Sequence, residues 1–285
     1  MTEQFKYVKE LLNTATGSQG TLLIPRKIYS VLVPEVQKAL IGTTELAAYN
    51  LGPGDIPGSS VDINLQTVDS ANARLVAEGT EYHLDTPGYQ TVNIKPLKYG
   101  LAVKITGEIK EDSQFTLLQN SIAYAGKKMA ENENSLLITT LDGAANTVSG
   151  GAQVTIANLT RAMQYLNDAD FDGTDLLVGM EVLNDLQNID TFAEANKFGT
   201  REMLERGMVG TVYGLNVRKV STNAGMTTTS AYVLDRSQAY ARVEKRPVTV
   251  ENFTLPISDM EGAVVSQRIA FALLRSSAVA KITSS

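Results

Sequence analysis

Residues 61–141 constrain the fold more than any other stretch, because they predict a long two-armed β segment that leads directly into a very long helix. Apolar residues alternate along the arms in the period of a strand, at Val61, Ile63, Leu65, Val92, Ile94, Leu101, Val103 and Ile105. Two strands alone are marginally stable in water, and their free edges pair with other chains. We therefore expect a neighbouring subunit to order this antiparallel excursion.

A helix is predicted over residues 113–141, with N-cap chemistry at Asp112 and Ser113 and a stop at Asp142-Gly143. Its apolar residues recur at three- and four-residue steps: Phe115, Leu118, Ile122, Ala125, Met129, Leu136, Leu137 and Leu141. Such a helix is roughly 40 Å long. The periodicity fits a spine that spans the subunit and fits a core helix of an ordinary α/β domain equally well.

The composition excludes several classes of protein. A chain of 285 residues with 43% hydrophobic residues can bury a sizeable core. It has no cysteine, which excludes disulfides, thiolate zinc sites and cysteine nucleophiles. The sequence shows no membrane-spanning run and no secretion signal, so we expect no membrane partner. A net charge of −6 argues against a dedicated nucleic-acid binder, so any contact with DNA is expected to be that of a container wall.

The rest of the chain divides into three parts. Residues 1–45 predict an arm with two short helical stretches and a flexible linker. Residues 154–235 alternate in the manner of an α/β unit, with helices at 156–166, 182–189 and 194–206 and strands at 176–178 and within 209–220. Strands follow up to residue 282, and we expect them to return to pack around the spine helix.

This order of parts resembles the major capsid proteins of tailed double-stranded DNA viruses, which share the Hong Kong 97 fold, over nearly the whole chain. Four segments are similar to stretches seen in that family: Leu23-Ile24-Pro25, residues 75–79, residues 207–217 and residues 245–250. The resemblance implies an α+β subunit with an N-terminal arm, an extended β-hairpin loop, a long spine helix and an inserted α/β axial domain.

On this resemblance, residues 1–54 form the arm and the start of the peripheral region, and residues 55–105 form the extended loop. Residues 106–153 form the peripheral domain with the spine helix, residues 154–235 the axial domain, and residues 236–285 the returning peripheral strands. There is no room for the family's cleaved scaffolding segment before Leu23, so a separate scaffolding protein or a mature form is implied. The loop has no lysine between Val61 and Gln90, so no covalent cross-link is expected.

No catalytic, cofactor-binding or metal-binding residue is predicted. Asp168, Asp170 and Asp172 match the start of a calcium loop, but its twelfth position is Gly179 where a glutamate is needed, so a solvated acidic turn is expected. The single histidine, His83, is far in sequence from any serine and acid pairing that could make a triad.

Charged residues near the loop tip and near the end of the chain are candidates for ion pairs between subunits. These candidates are Arg74, Glu78, Glu81, His83, Arg242 and Arg246. Ion pairs of this kind set register and partner choice more than they add stability. The alternative is an ordinary charged surface.

The resemblance implies a noncatalytic major capsid protein that forms pentamers and hexamers of an icosahedral shell around double-stranded DNA, which it does not read by sequence. The expected partners are further copies of the chain, with a scaffolding protein, a portal and decoration proteins as further candidates. Assembly is expected in the host cytoplasm, and the final location is the virion. The alternatives are an encapsulin-like compartment that encloses protein cargo and a cytoplasmic α/β enzyme.

Overall fold

The computed structural model describes residues 40–41, 43–66, 75–76, 78–79, 81–82, 88–106, 116–188 and 208–284. In this part of the chain, strands dominate over three α-helices. The elements are β1 (Tyr49–Leu51), β2 (Val61–Gln66), β3 (Tyr89–Ile94), β4 (Leu97–Thr106), α1 (Thr116–Leu141), β5 (Asn146–Gly151), α2 (Ile156–Asn167), β6 (Asp175–Val178), α3 (Met180–Gln187), β7 (Met208–Val212), β8 (Leu215–Lys219), β9 (Ser230–Leu234), β10 (Tyr240–Leu255), β11 (Met260–Leu273) and β12 (Val279–Ser284).

A six-stranded sheet in the order β5-β12-β9-β6-β8-β7 forms the centre of an α/β layer. Its central strand β6 is buried along its whole length. Because neighbouring residues of a strand point to opposite faces, Leu176 and Val178 pack with α2 and α3, whereas Leu177 packs with the end of α1. Helices therefore cover both faces of this sheet.

A four-stranded sheet in the order β1-β10-β11-β4 forms the second layer. The long strands β10 and β11 pair antiparallel from Tyr240 opposite Leu273 to Leu255 opposite Met260, with two irregularities between Glu244 and Thr249. Apolar residues on one face of β11 pack against the first half of α1.

Helix α1 joins the two layers. Ile122, Ala125 and Met129 belong to the core over the four-stranded sheet, while Leu137 and Leu141 belong to the core over the six-stranded sheet. A helix of 26 residues is about 39 Å long, which is enough to reach both. The predicted spine is present from residue 116, and residues 107–115 lie outside the described part.

One strand differs from the sequence-based prediction. β4 does not continue the hairpin but pairs with β11 over ten residues, because Leu101 and Val103 pack in the core beneath α1. β12 enters the six-stranded sheet between β5 and β9, where Val279 lies in the same core as Leu137 and Leu141 of α1. Val279 and Ala280 are both buried, so this strand is apolar on both faces and suits an interior position in the sheet. The helices predicted in the N-terminal arm and at 194–206 lie outside the described residues.

We expect Leu137→Ala to lower the free energy of unfolding of the unassembled subunit by about 2 to 5 kcal/mol, because Leu137 is fully buried where α1 meets the six-stranded sheet. Denaturant unfolding measures the change. Leu136→Ala is the matched control, since Leu136 is only partly buried and its truncation costs less. Equal losses in the two variants would contradict this account of the helix face.

Candidate assembly site

The paired strands β2 and β3 form the base of a hairpin that lies on the four-stranded sheet. They pair from Val61 opposite Ile94 to Gln66 opposite Tyr89. One cluster joins the hairpin to β10 and to the end of β11, and its buried members are Ile56, Ile63, Leu65, Ile94, Ala241, Val243 and Leu274. A slip of one residue would turn the apolar set to water, so this packing fixes the register of the hairpin.

Two cationic side chains bind backbone carbonyls at the base of this hairpin. The Arg275 guanidinium donates to the carbonyl of Gln66 at 2.9 Å, at the point where β2 ends. The Lys245 ammonium on β10 donates to the carbonyl of Gly58, just before β2 begins. The hairpin base is therefore fixed at both ends of β2.

The tip of the hairpin presents apolar and acidic side chains to solvent. Leu75 is 103% exposed and Tyr82 is 81% exposed. The predicted contact residues Glu78 and Glu81 are exposed beside them. The other two predicted tip residues, Arg74 and His83, lie outside the described residues.

Arg242 is buried and its partners belong to its own chain. Its Nε donates to Glu133 of α1 at 3.0 Å, and its Nη1 donates to Glu244 at 2.7 Å and to the Asn50 side chain at 3.2 Å. The Thr43 hydroxyl donates to the same Glu133 oxygen at 2.7 Å. Burial opposes the charge of Arg242, but Glu133 and Glu244 outweigh it and raise the pKa of this guanidinium. The network joins α1, β10 and the segment before β1.

Arg246 is also held within the chain. Its Nη2 donates to the Ser266 hydroxyl of β11 at 2.6 Å. Its Nε is buried and has no hydrogen-bond partner within the described residues. The intersubunit role expected for Arg242 and Arg246 stays a prediction, and the contacts observed for these two residues do not support it.

A second buried carboxylate, Asp175, begins β6. Arg236 binds it with two hydrogen bonds of 3.1 and 2.8 Å, from Nε and Nη2. The Nε of Arg218 lies 3.6 Å from the same carboxylate, an ion-pair distance too long for a hydrogen bond. Arg218 also donates to Glu45 at 3.0 Å, so the segment before β1 is tied to the six-stranded sheet as well.

The end of α1 is fixed to the six-stranded sheet by a third polar cluster. Asp142 accepts hydrogen bonds of 2.6 Å from the Tyr232 hydroxyl and from the Lys281 ammonium. Partial burial opposes ionisation, but the hydrogen bonds from Lys281 and Tyr232 outweigh it and lower the pKa of Asp142. Burial and then Asp142 raise the pKa of Tyr232.

Sequence analysis assigned no role to Glu133 or Asp175. Glu133 falls four residues after Met129 on the apolar face of α1, and Asp175 directly precedes the apolar run of β6. A carboxylate on an apolar face requires a cationic or hydrogen-bonding partner. That placement was the available signal.

Within the described ranges, no group of three or more His, Cys, Asp and Glu residues is placed to hold a metal ion. The acidic turn with Asp168, Asp170 and Asp172 follows α2, and all three residues are exposed. None of the helices in those ranges is long and apolar enough to cross a membrane.

Comparison with protein families matches residues 88–282, more than half of the chain, to a family described as phage capsid protein. The chain belongs to the phage capsid protein family. The match begins just before β3 and extends into β12, so it includes the spine helix, strands from all six positions of the larger sheet, and β4, β10 and β11 of the four-stranded sheet. No curated protein sequence matches this capsid protein.

Solved structures of phage capsids share its fold. The chain is similar to a structure from Microbacterium phage Oxtober96, with a TM-score of 0.64, 17% identity, and coverage of 86% of this chain and 91% of that one. A structure from Mycobacterium phage Che8 gives a TM-score of 0.61 at 17% identity, with coverage of 79% and 84%. The structure of a virus-like particle from Pyrococcus furiosus gives a TM-score of 0.60 at 13% identity, with coverage of 90% of this chain and 98% of that one.

These findings confirm the predicted Hong Kong 97 fold and the predicted class of protein. The chain is a phage major capsid protein, a structural component of the virion that assembles into a multi-subunit shell. The encapsulin-like alternative has no better support than the capsid assignment.

We expect Glu133→Ala to lower the free energy of unfolding by roughly 3 kcal/mol, because it leaves the buried Arg242 without its closest partner on α1. Urea unfolding of the unassembled subunit measures the loss. Glu131→Ala is the matched control on the same helix, since Glu131 pairs with an exposed Lys128 and its removal costs little. A small effect at both positions would show that the buried pair does not hold α1 in place.

We expect Lys281→Met to reduce stability at pH 7 by about 0.5 to 1 kcal/mol, the range for a partly exposed pair. Because the folded pKa of Asp142 is lowered, its stabilisation is present above the unfolded pKa and is lost as the pH falls through the folded value. The difference from wild type therefore shrinks below about pH 4. Urea unfolding at pH 7 and at lower pH checks this, and a difference independent of pH would contradict it.

Proposed function

We propose that this capsid protein forms pentamers and hexamers of an icosahedral shell that encloses double-stranded DNA. In this proposal, residues 154–235 form the axial domain around each capsomer centre, together with the strands β5 and β12 that share their sheet. Residues 106–153 and the strands β10 and β11 form the peripheral domain. Residues 1–54 form the N-terminal arm, and the loop within 55–105 reaches a neighbouring subunit.

The anchored hairpin supports this proposal. Its base is fixed by an apolar cluster and by Arg275, whereas the side chains of Leu75 and Tyr82 at its tip are exposed to solvent. Large exposed apolar side chains at the end of a fixed support suit burial by another subunit. Each such contact adds modestly, and a closed shell multiplies the contacts.

The remaining parts of the proposal concern partners and place. We propose a purely structural role without catalysis, assembly in the host cytoplasm, and packaged DNA held without sequence recognition. The net charge of −6 fits a wall that encloses DNA better than a surface that binds it tightly. A scaffolding protein, a portal and decoration proteins are the proposed partners beyond further copies of the chain.

Sedimentation and electron microscopy of the purified protein, alone and with a candidate scaffolding protein, test the proposal. Hollow shells, or rings of five and six subunits, are the expected result. Particles recovered from infected cells should contain DNA, whereas particles filled with protein cargo would favour the encapsulin-like alternative. A small closed oligomer under all these conditions would overturn the shell assignment.

We expect deletion of residues 70–81 to leave a soluble, folded subunit that cannot close shells, because the base of the hairpin keeps its own packing. Circular dichroism and unfolding verify the subunit, and electron microscopy counts the particles. A double substitution, Leu75→Ser with Tyr82→Ser, retains the length of the loop and isolates the apolar contribution. Normal shells from the deletion variant would refute the role of the loop.

A further inference from the structure

The turn between β7 and β8 has an unfavourable residue in a demanding position. Tyr213 has φ of 49° and Gly214 has φ of 83°, so both residues of the two-residue turn are left-handed. Hairpin turns of this type favour Asn-Gly, because a side chain with a Cβ is strained there and asparagine tolerates the strain best. A tyrosine at this position weakens the hairpin.

Tyr213 differs from the other non-glycine residues with positive φ in the described ranges. Those residues are Asp170, with φ of 60°, and Asp259, with φ of 44°. Aspartate is enriched in the left-handed region, whereas a bulky residue there is an outlier that points to a role for its side chain. The aromatic ring must therefore contribute something that asparagine or aspartate does not.

The position of the β7–β8 turn limits the kind of contact that the Tyr213 ring can make. Among the described strands, β7 lies at the edge of the six-stranded sheet, and its pairing with β8 is interrupted between Met208 and Gly210. An interrupted edge is a poor template for adding a strand from another chain. Tyr213 is 51% exposed, so half of its surface is still open to a partner. A contact here is made by the side chain.

We propose that Tyr213 packs against a second copy of this chain in the assembled shell. The inference rests on the proposed shell function and adds a residue to it. A second copy is the occupant because the protein assembles into a shell of many copies, in which symmetry gives this turn the same surroundings in each equivalent copy. Tyrosine combines an apolar ring with a hydroxyl and is enriched in interface cores, which accounts for its presence in a turn that disfavours it.

The test compares Tyr213→Asn with Tyr213→Phe in the full-length protein. Tyr213→Asn removes the ring and supplies the residue that the turn prefers, whereas Tyr213→Phe keeps the ring. Asp170→Asn is the matched control, because it introduces the same residue at another left-handed position without removing an aromatic ring. Denaturant unfolding of the unassembled subunit and sedimentation over a concentration series are measured for all four proteins.

Tyr213→Asn is expected to leave the unfolding midpoint unchanged or raised, while the concentration needed for half-maximal assembly rises by about tenfold, as for the loss of a sizeable interface residue. Tyr213→Phe and Asp170→Asn are expected to assemble as wild type does. A lowered midpoint with normal assembly would assign the ring to packing within the subunit and overturn the inference.

These outcomes separate the contact from the shell. Wild-type shells together with normal assembly of Tyr213→Asn would overturn the contact alone. Rings or smaller oligomers without shells would overturn the shell function, and the same concentration series on those oligomers would still decide the contact. A wild-type protein that stays monomeric would overturn both.

Discussion

The buried ion pair between Glu133 and Arg242 determines how the longest helix lies on the four-stranded sheet. Apolar burial is not directional, so apolar contacts alone do not select a single position of a helix on a sheet. A buried charge is not tolerant, because separation from its partner leaves it in apolar surroundings. Thr43 and Asn50 bind the same pair, so β1 and the segment before it are held by the same constraint. The relative positions of α1, β10 and β1 therefore depend on this pair.

In this subunit, polar clusters fix α1 to both larger sheets, while large apolar side chains are exposed at the ends of hairpins. α1 is fixed to one sheet by Arg242 and to the other by Asp142, which binds both Tyr232 and Lys281. The two most exposed large apolar side chains in the described ranges lie instead at the ends of hairpins, with Leu75 at one tip and Ile257, 104% exposed, at the turn between β10 and β11. A shell needs subunits of this kind, because their shape must persist while their ends find neighbours.

Local patterns were predicted well and distant partners were not. The positions of α1, α2, β6 and the β2–β3 pair follow from periodicity within short windows of sequence. The same periodicity marked β4 and β12 as strands, but it carries no information about which strand each one pairs with. Arg242 shows the limit for sites: its partner Glu133 is 109 residues away, and sequence cannot distinguish such a partner from one in another subunit.

The place of β12 has a consequence for how the six-stranded sheet is completed. β5 and β9 lie on either side of this strand, so β5 joins the other four strands of the sheet only through residues 279–284. The strand also brings Lys281 to Asp142 at the end of α1. The last strand of the sheet thus unites an edge strand, the central strands and the end of the long helix in one body.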